Sequence, residues 1–318
     1  MSKYPLNGIV LRYQSGFYTV QMDDGEEVTC TLRGRLKRGP KTGDIAALGD
    51  IVHFTKQSDG TGVIEEVEER KSAFIRLAPT PRGLYQQVLL ANPDQVLFVF
   101  ACANPEPHLR MLDRYLVVAE KNQIKPVIVA NKVELVGMDA AKALFGLYQQ
   151  IPYEVHYTSA ETGQGVEQLF ALLKGRLSAL TGPSGVGKSS LLNRMMPGLG
   201  LAVSQVSDAT TKGRHTTTHR QLFPIDVPEG GYVADTPGMR TMALWDTEPE
   251  ELDGYFPELR ELVRDCQFSD CTHQAHEPGC AVHAAVREGR VHEQRYQSYL
   301  RMRYGGEFDE GGDSPQID

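Results

Sequence analysis

At 318 residues, 41% hydrophobic and 23% charged, the chain has the make-up of a globular protein long enough for two or three cores. A net charge of −8 counts against the whole surface being a nucleic-acid footprint, while leaving room for a basic patch on one domain. No stretch approaches the roughly 20 apolar residues of a membrane helix, and no apolar run follows the N-terminus, so a cytoplasmic protein without membrane contacts is expected.

Residues 1–72 read as five short strands with glycine-rich turns, over 8–13, 17–22, 27–32, 50–54 and 62–67. So many strands in so short a segment predict a small closed barrel of the OB type. Arg33, Arg35, Lys37, Arg38 and Lys41 form a basic loop on it, expected to be mobile. Contact with an RNA backbone and a plain solvated charge run suit that loop equally. Over 73–245 the texture becomes α/β. A continuous apolar run at 95–101, a helix over 109–121, and strands at 126–130, 177–180 and 231–234 predict a doubly wound sheet. Residues 246–304 read as a third, mostly helical domain, with helices over 251–263 and 281–303 flanking a cysteine cluster. The acidic, glycine-rich residues 305–318 are expected to be a disordered tail.

Within the central domain, Gly182, Pro183, Ser184, Gly185, Val186, Gly187, Lys188 and Ser189 match G-x-x-x-x-G-K-[ST], between an apolar strand and a helix opening at Ser190. Glycines let successive backbone N–H groups turn towards phosphates, Lys188 supplies a positive charge, and the Ser189 hydroxyl suits Mg²⁺. Asp235, Thr236, Pro237 and Gly238 follow another strand; the carboxylate can hold Mg²⁺ through water and the Gly238 N–H can meet the γ-phosphate. Asn131, Lys132, Val133 and Glu134 resemble the N-K-x-D guanine-reading motif of GTPases, and Thr158, Ser159 and Ala160 resemble its second base-contacting loop. An Asn-Lys pair by itself is usually a solvated turn; the combination after strands of one sheet is what carries the reading. Glu134 stands where Asp is usual, keeping the two acceptors one methylene further out, so guanine remains the expected base.

The order of these motifs is the informative feature. Ordinary GTPases place the phosphate loop first and the base-reading motifs last; here the base-reading motifs precede the phosphate loop. A circular permutation can preserve such a site because domain termini often lie close together. It also runs the segment after Gly238 straight into the third domain, so hydrolysis could reposition that module. Between the phosphate loop and Asp235 lies a Thr-rich run in which Thr217 is assigned to Mg²⁺, with Thr216 and Thr218 as alternatives. Met239 occupies the place of a water-orienting Gln, which predicts slow hydrolysis unaided; His215 is either the water-orienting residue or a solvated loop residue.

Five cysteines fit a reducing compartment. Cys266, Cys271, His273 and Cys280 have the spacing C-x4-C-x-H-x6-C, which suits one structural Zn²⁺, since four protein ligands leave no open position. His276 competes with His273 for the fourth place, while Cys30 and Cys102 read as small core residues.

A small barrel, the run G-P-S-G-V-G-K-S, the run G-R-H-T-T-T and a C-x4-C-x-H…C module, in this order over residues 1–300, resemble the bacterial small-subunit-dependent GTPase family RsgA, also called YjeQ. The resemblance implies an OB-fold, a permuted GTPase and a zinc domain acting in late maturation of the small ribosomal subunit. It implies hydrolysis of GTP to GDP stimulated by that subunit and contacts to its rRNA. The resulting expectation is a monomeric GTPase that engages the subunit with GTP and leaves after hydrolysis. The rivals are a nucleotide-regulated protein acting on another RNA, and an ATPase or kinase with a coincidental Asn131–Lys132 pair.

Overall fold

The computed structural model describes residues 6–38, 43–80, 83–201, 221–235 and 247–305. The chain divides into two units, residues 1–243 and 244–318.

Alternation of apolar and polar residues builds the first sheet. Strands β1 (Leu6–Gln14), β2 (Phe17–Gln21), β3 (Glu27–Leu32), β4 (Ile51–Lys56) and β5 (Gly62–Val67) bury Val10, Val20, Val28, Cys30, Val52, Phe54 and Ile64. They close into a barrel in the order β1-β2-β3-β5-β4, with only the β3–β5 pair parallel, as an OB-fold requires.

The basic segment after β3 differs from the expected mobile loop. Gly34–Lys37 is a short 3-10 helix, and Arg33 Nε donates to both carboxylate oxygens of Glu65 at 3.0 and 2.9 Å. Arg35 donates to the Glu65 carbonyl at 2.9 Å. The cause is Glu65 itself, a carboxylate only 5% exposed on β5, which needs a charge-assisted partner. Lys37 and Arg38 remain exposed, and Lys41 lies outside the described residues.

A hairpin that the sequence did not announce follows: β6 (Ala73–Thr80) and β7 (Gly83–Ala91), antiparallel. It is fastened from the barrel side by Asp44, which accepts from the Val88 N–H and the Tyr85 hydroxyl, each at 2.9 Å. Nearby, the fully buried Asp50 is paired with Arg70 at 2.8 and 2.7 Å.

The α/β layer runs β8 (Gln95–Ala101), α1 (Leu109–Lys121), β9 (Lys125–Asn131), α2 (Met138–Gln150), β10 (Glu154–Thr158), α3 (Val166–Leu173), β11 (Leu177–Thr181), α4 (Lys188–Met195), β12 (Leu222–Pro224) and β13 (Tyr232–Asp235). The sheet order is β10-β9-β8-β11-β13-β12, parallel except for β12. Every residue of β8 is buried, which is why it reads as an uninterrupted apolar run. From β8 the chain winds outward to β9 and β10; from β11, on the other side of β8, it proceeds to β13. The strand order therefore reverses between β8 and β11, where a ligand crevice opens at the carboxyl ends of the strands. The barrel joins this layer through the Tyr232 hydroxyl, which donates to Gln21 Oε1 at 2.8 Å, and through a bridge between Arg12 and Gln221.

In the second unit neither expected long helix is continuous. Residues 249–265 comprise the 3-10 helix Pro249–Tyr255, the short α5 (Pro257–Arg260) and the 3-10 helix Leu262–Asp265. Pro257 has no N–H to give to a preceding turn and holds Phe256 extended. The second stretch is broken into α6 (Ala281–Arg287) and α7 (Glu293–Tyr304) by Gly289, whose φ of +73° ends the first helix. Arg295, almost fully buried, pairs with Glu258 at 2.6 Å and lies over the Phe256 ring. Among the described residues no helix is long and apolar enough to cross a membrane.

Candidate nucleotide site and metal centre

Residues predicted to hold nucleotide gather along one edge of the sheet, because parallel strands end on the same side. Asn131 closes β9, Thr158 closes β10, Thr181 closes β11 immediately before Gly182, and Asp235 closes β13. The phosphate loop takes positive φ at Gly182, Gly185 and Gly187, with 149°, 78° and 96°. At Gly187 two demands coincide: the left-handed backbone, and the Asn131 amide packed where a Cβ would stand. Lys188 opens α4 and donates through Nζ to the carbonyls of Gly182 at 2.9 Å and Pro183 at 2.7 Å, so its charge is held over the loop. Ser189 and Ser190 follow in the first turn of α4.

Asn131 connects the two halves of the site. It is fully buried, its Nδ2 donates to the Val186 carbonyl at 2.9 Å, and its Oδ1 accepts from the Thr158 hydroxyl at 3.1 Å. The base-reading strand, the second base loop and the phosphate loop are thus joined by one side chain. Asn131→Ala would leave the Val186 carbonyl and the Thr158 hydroxyl without these partners, an expected loss of about 1–3 kcal/mol for each group left unsatisfied. Thermal unfolding and calorimetric GDP titration should both register it.

Lys132 has a left-handed φ of +65°, and its ammonium reaches the Asn104 carbonyl beyond β8. Burial pulls its pKa below the ordinary lysine value, against the opposing pull of Glu134. The turn leads into a 3-10 helix, Val133–Leu135, in which Val133 is buried. One carboxylate oxygen of Glu134 is buried without a hydrogen-bond partner, as an acceptor kept for N–H donors of a guanine edge would be. Ser159 is buried, and its hydroxyl accepts from the Thr162 N–H at 3.0 Å, which shapes the loop carrying Ala160. Cys102 is buried beside this region; burial, with the Glu134 charge adding, pushes its thiol up to about 11, in keeping with a core residue. His215, Thr216, Thr217, Thr218, Gly238 and Met239 lie outside the described residues, as does the side chain of Asp235.

The second unit brings Cys266, Cys271, His273 and Cys280 together, their ligand atoms all within 4.8 Å of one another. His273 Nδ1 stands 3.6 Å from both Cys266 Sγ and Cys280 Sγ. Tetrahedral coordination with Zn–S near 2.3 Å and Zn–N near 2.0 Å requires an S···N separation of about 3.5 Å, so this donor set fits zinc in chemistry and in the two S···N spacings. His276 is exposed and stands outside the group. Cys280 also caps α6, its sulfur accepting from the His283 N–H at 3.3 Å; burial pushes its thiol up, against the opposing pull of that N–H. On the far side of the imidazole, His273 Nε2 faces Asp253 Oδ2 at 3.4 Å. Neither Asp253 nor Asn104 has a motif to reveal it, since each meets its partner only through the fold.

A barrel followed by a sheet whose base-reading strands precede its phosphate loop defines a circularly permuted P-loop GTPase. The RsgA GTPase domain matches residues 67–245 and the RsgA N-terminal domain residues 7–64. The chain is 45% identical over 299 residues to the small ribosomal subunit biogenesis GTPase RsgA of Gemmatimonas aurantiaca, covering 93% of this chain and 96% of that protein. It is 42% identical over 301 residues to the protein of the same name from Thermotoga maritima, with coverage of 93% and 95%. Among solved structures, YjeQ from Thermotoga maritima superposes with a TM-score of 0.76 at 39% identity, covering 94% of this chain and 97% of that one. YloQ, described as a circularly permuted GTPase, gives 0.72 at 30% identity, with coverage of 95% and 94%. The chain belongs to the RsgA GTPase family.

Proposed function

We propose that this GTPase acts in late maturation of the small ribosomal subunit, binding the subunit with GTP and leaving after hydrolysis. The observation that carries the reading is the guanine-nucleotide site assembled around Asn131, in a chain whose relatives, matched over 93% of its length, are named for small-subunit biogenesis. Lys188 and the amides of 182–187 act as the electrostatic clamp on the phosphates. Glu134 and Asn131 read guanine, with Ser159 and Ala160 forming the second wall of the base pocket. Mg²⁺, when bound with GTP, neutralises charge on the phosphates; Ser189 and Thr217 would hold it, with Thr216 and Thr218 as alternatives, and Asp235 through water. Cys266, Cys271, His273 and Cys280 would hold one zinc ion whose contribution is to the fold of the second unit. Arg33, Arg35, Lys37 and Arg38, all exposed, are the basic candidates for rRNA contact on the barrel, together with Lys41. With the ribosomal subunit as partner, the site of action is the cytoplasm.

GTP turnover measured with purified small subunits, large subunits or tRNA tests the proposal. Acceleration by small subunits alone is the expected result; equal turnover in all three would point to an RNA-binding protein with another target. ATP displacing labelled GDP as well as GTP does would overturn the guanine assignment. An unchanged stimulated rate in His215→Ala would remove His215 from the reaction.

A further inference from the structure

The two nitrogens of His273 face different partners. Nδ1 looks into the thiol cluster, 3.6 Å from Cys266 Sγ and from Cys280 Sγ, whereas Nε2 looks away from it, 3.4 Å from Asp253 Oδ2. The residue is 1% exposed, so bulk water has little access to Nε2. Its backbone is held separately, by a φ of +59° and by the Tyr296 hydroxyl donating to its carbonyl at 2.6 Å. The remaining freedom is rotation of the ring and choice of tautomer. A metal-bound imidazole is neutral and carries its proton on the other nitrogen, so that proton needs an acceptor. Among the described residues Asp253 is the carboxylate within hydrogen-bonding reach of Nε2, and Tyr299 and Arg303 are ionisable groups that also face it.

We propose that Asp253 is a positioning residue for the metal centre, accepting the Nε2–H of His273 and so fixing the tautomer whose Nδ1 lone pair points at the cation. This rests on reading the four residues as a zinc site. Asp253 stands on the 3-10 helix Pro249–Tyr255, the first described element after the segment containing Asp235 and Gly238.

The test uses the full chain and zinc itself. Metal content is measured first: a wild-type protein that takes up no zinc refutes the zinc reading, independently of Asp253. Zinc affinity is then read by competition with a chromophoric chelator. Asp253→Asn, which keeps the shape and removes the charge, is expected to bind zinc about 10–100-fold more weakly. Stoichiometry and far-UV circular dichroism at saturating zinc should not change. In a His273→Cys background there is no imidazole to orient, and the same substitution should weaken binding no further. Unchanged affinity in the wild-type background, or equal loss in both backgrounds, would overturn the proposal. Should Asp253→Asn not fold, Asp253→Ser is read against the same outcomes.

Discussion

Replacing Lys188 by Ala is expected to lower the rate of GTP hydrolysis by about a hundredfold or more. Phosphoryl transfer offers the protein little covalent chemistry, so catalysis depends on positive charge and N–H donors already aimed where negative charge accumulates. Lys188 is placed for that by its own loop: Nζ is held by the Gly182 and Pro183 carbonyls at 2.9 and 2.7 Å at the start of α4. Holding the ammonium there beforehand reduces the reorganisation needed during the reaction. Loss of one preorganised donor of this kind costs roughly 10²–10³ in rate. The substitution leaves Asn131, Val186 and Thr158 joined, so folding and the base pocket should survive. Single-turnover hydrolysis at saturating GTP, with thermal unfolding as the control, measures the effect. A rate within a few-fold of wild type would remove Lys188 from the clamp.

The second large effect is expected from metal removal. The unit of residues 244–318 is short, and of its described α-helices only α7, with twelve residues, is of ordinary length: α5 spans four residues and α6 seven. A single core of that size rarely contributes more than about 3–5 kcal/mol, whereas a structural zinc contributes about 10–16 kcal/mol in small zinc-dependent folds. Chelation, or Cys280→Ser, is therefore expected to unfold this unit. Cys280→Ser should act doubly, because the same sulfur also accepts from the His283 N–H at the start of α6. Circular dichroism and limited proteolysis would report the loss, while GDP binding by the other unit should persist. A chelated, metal-free protein that retains its helices and protease resistance would exclude a structural role for the metal.

Different parts of the molecule were legible for different reasons. The phosphate loop could be read directly because its demands are local: consecutive residues, glycines at forced backbone angles, and a helix immediately after. The central strand β8 was equally plain, burial of all seven residues leaving an unbroken apolar run. Asn131 was visible as half of a base-reading pair, but not as the clasp on Val186, which is 55 residues away in sequence. The β6–β7 hairpin escaped notice because the groups that fasten it, Asp44 with Tyr85 and Val88, are more than 40 residues apart. The two expected helices of the second unit were broken by Pro257 and Gly289, local signals outweighed by the length of the surrounding polar-apolar pattern.

Motif order, the permuted connection and the ligand types at the metal centre follow from sequence, since each depends on residue identity and succession. Three choices depended on three-dimensional packing. The basic turn of the barrel is tied to β5 because buried Glu65 needs Arg33, while its basic side chains stay exposed. One Glu134 oxygen is buried without a hydrogen-bond partner, which residue identity alone does not announce. His273 rather than His276 entered the thiol cluster, although both belong to the same loop and have the same chemistry. What separates them is the path of the chain: a positive φ at His273 and the Tyr296 hydroxyl on its carbonyl accompany an imidazole turned inward, with Asp253 3.4 Å behind its Nε2.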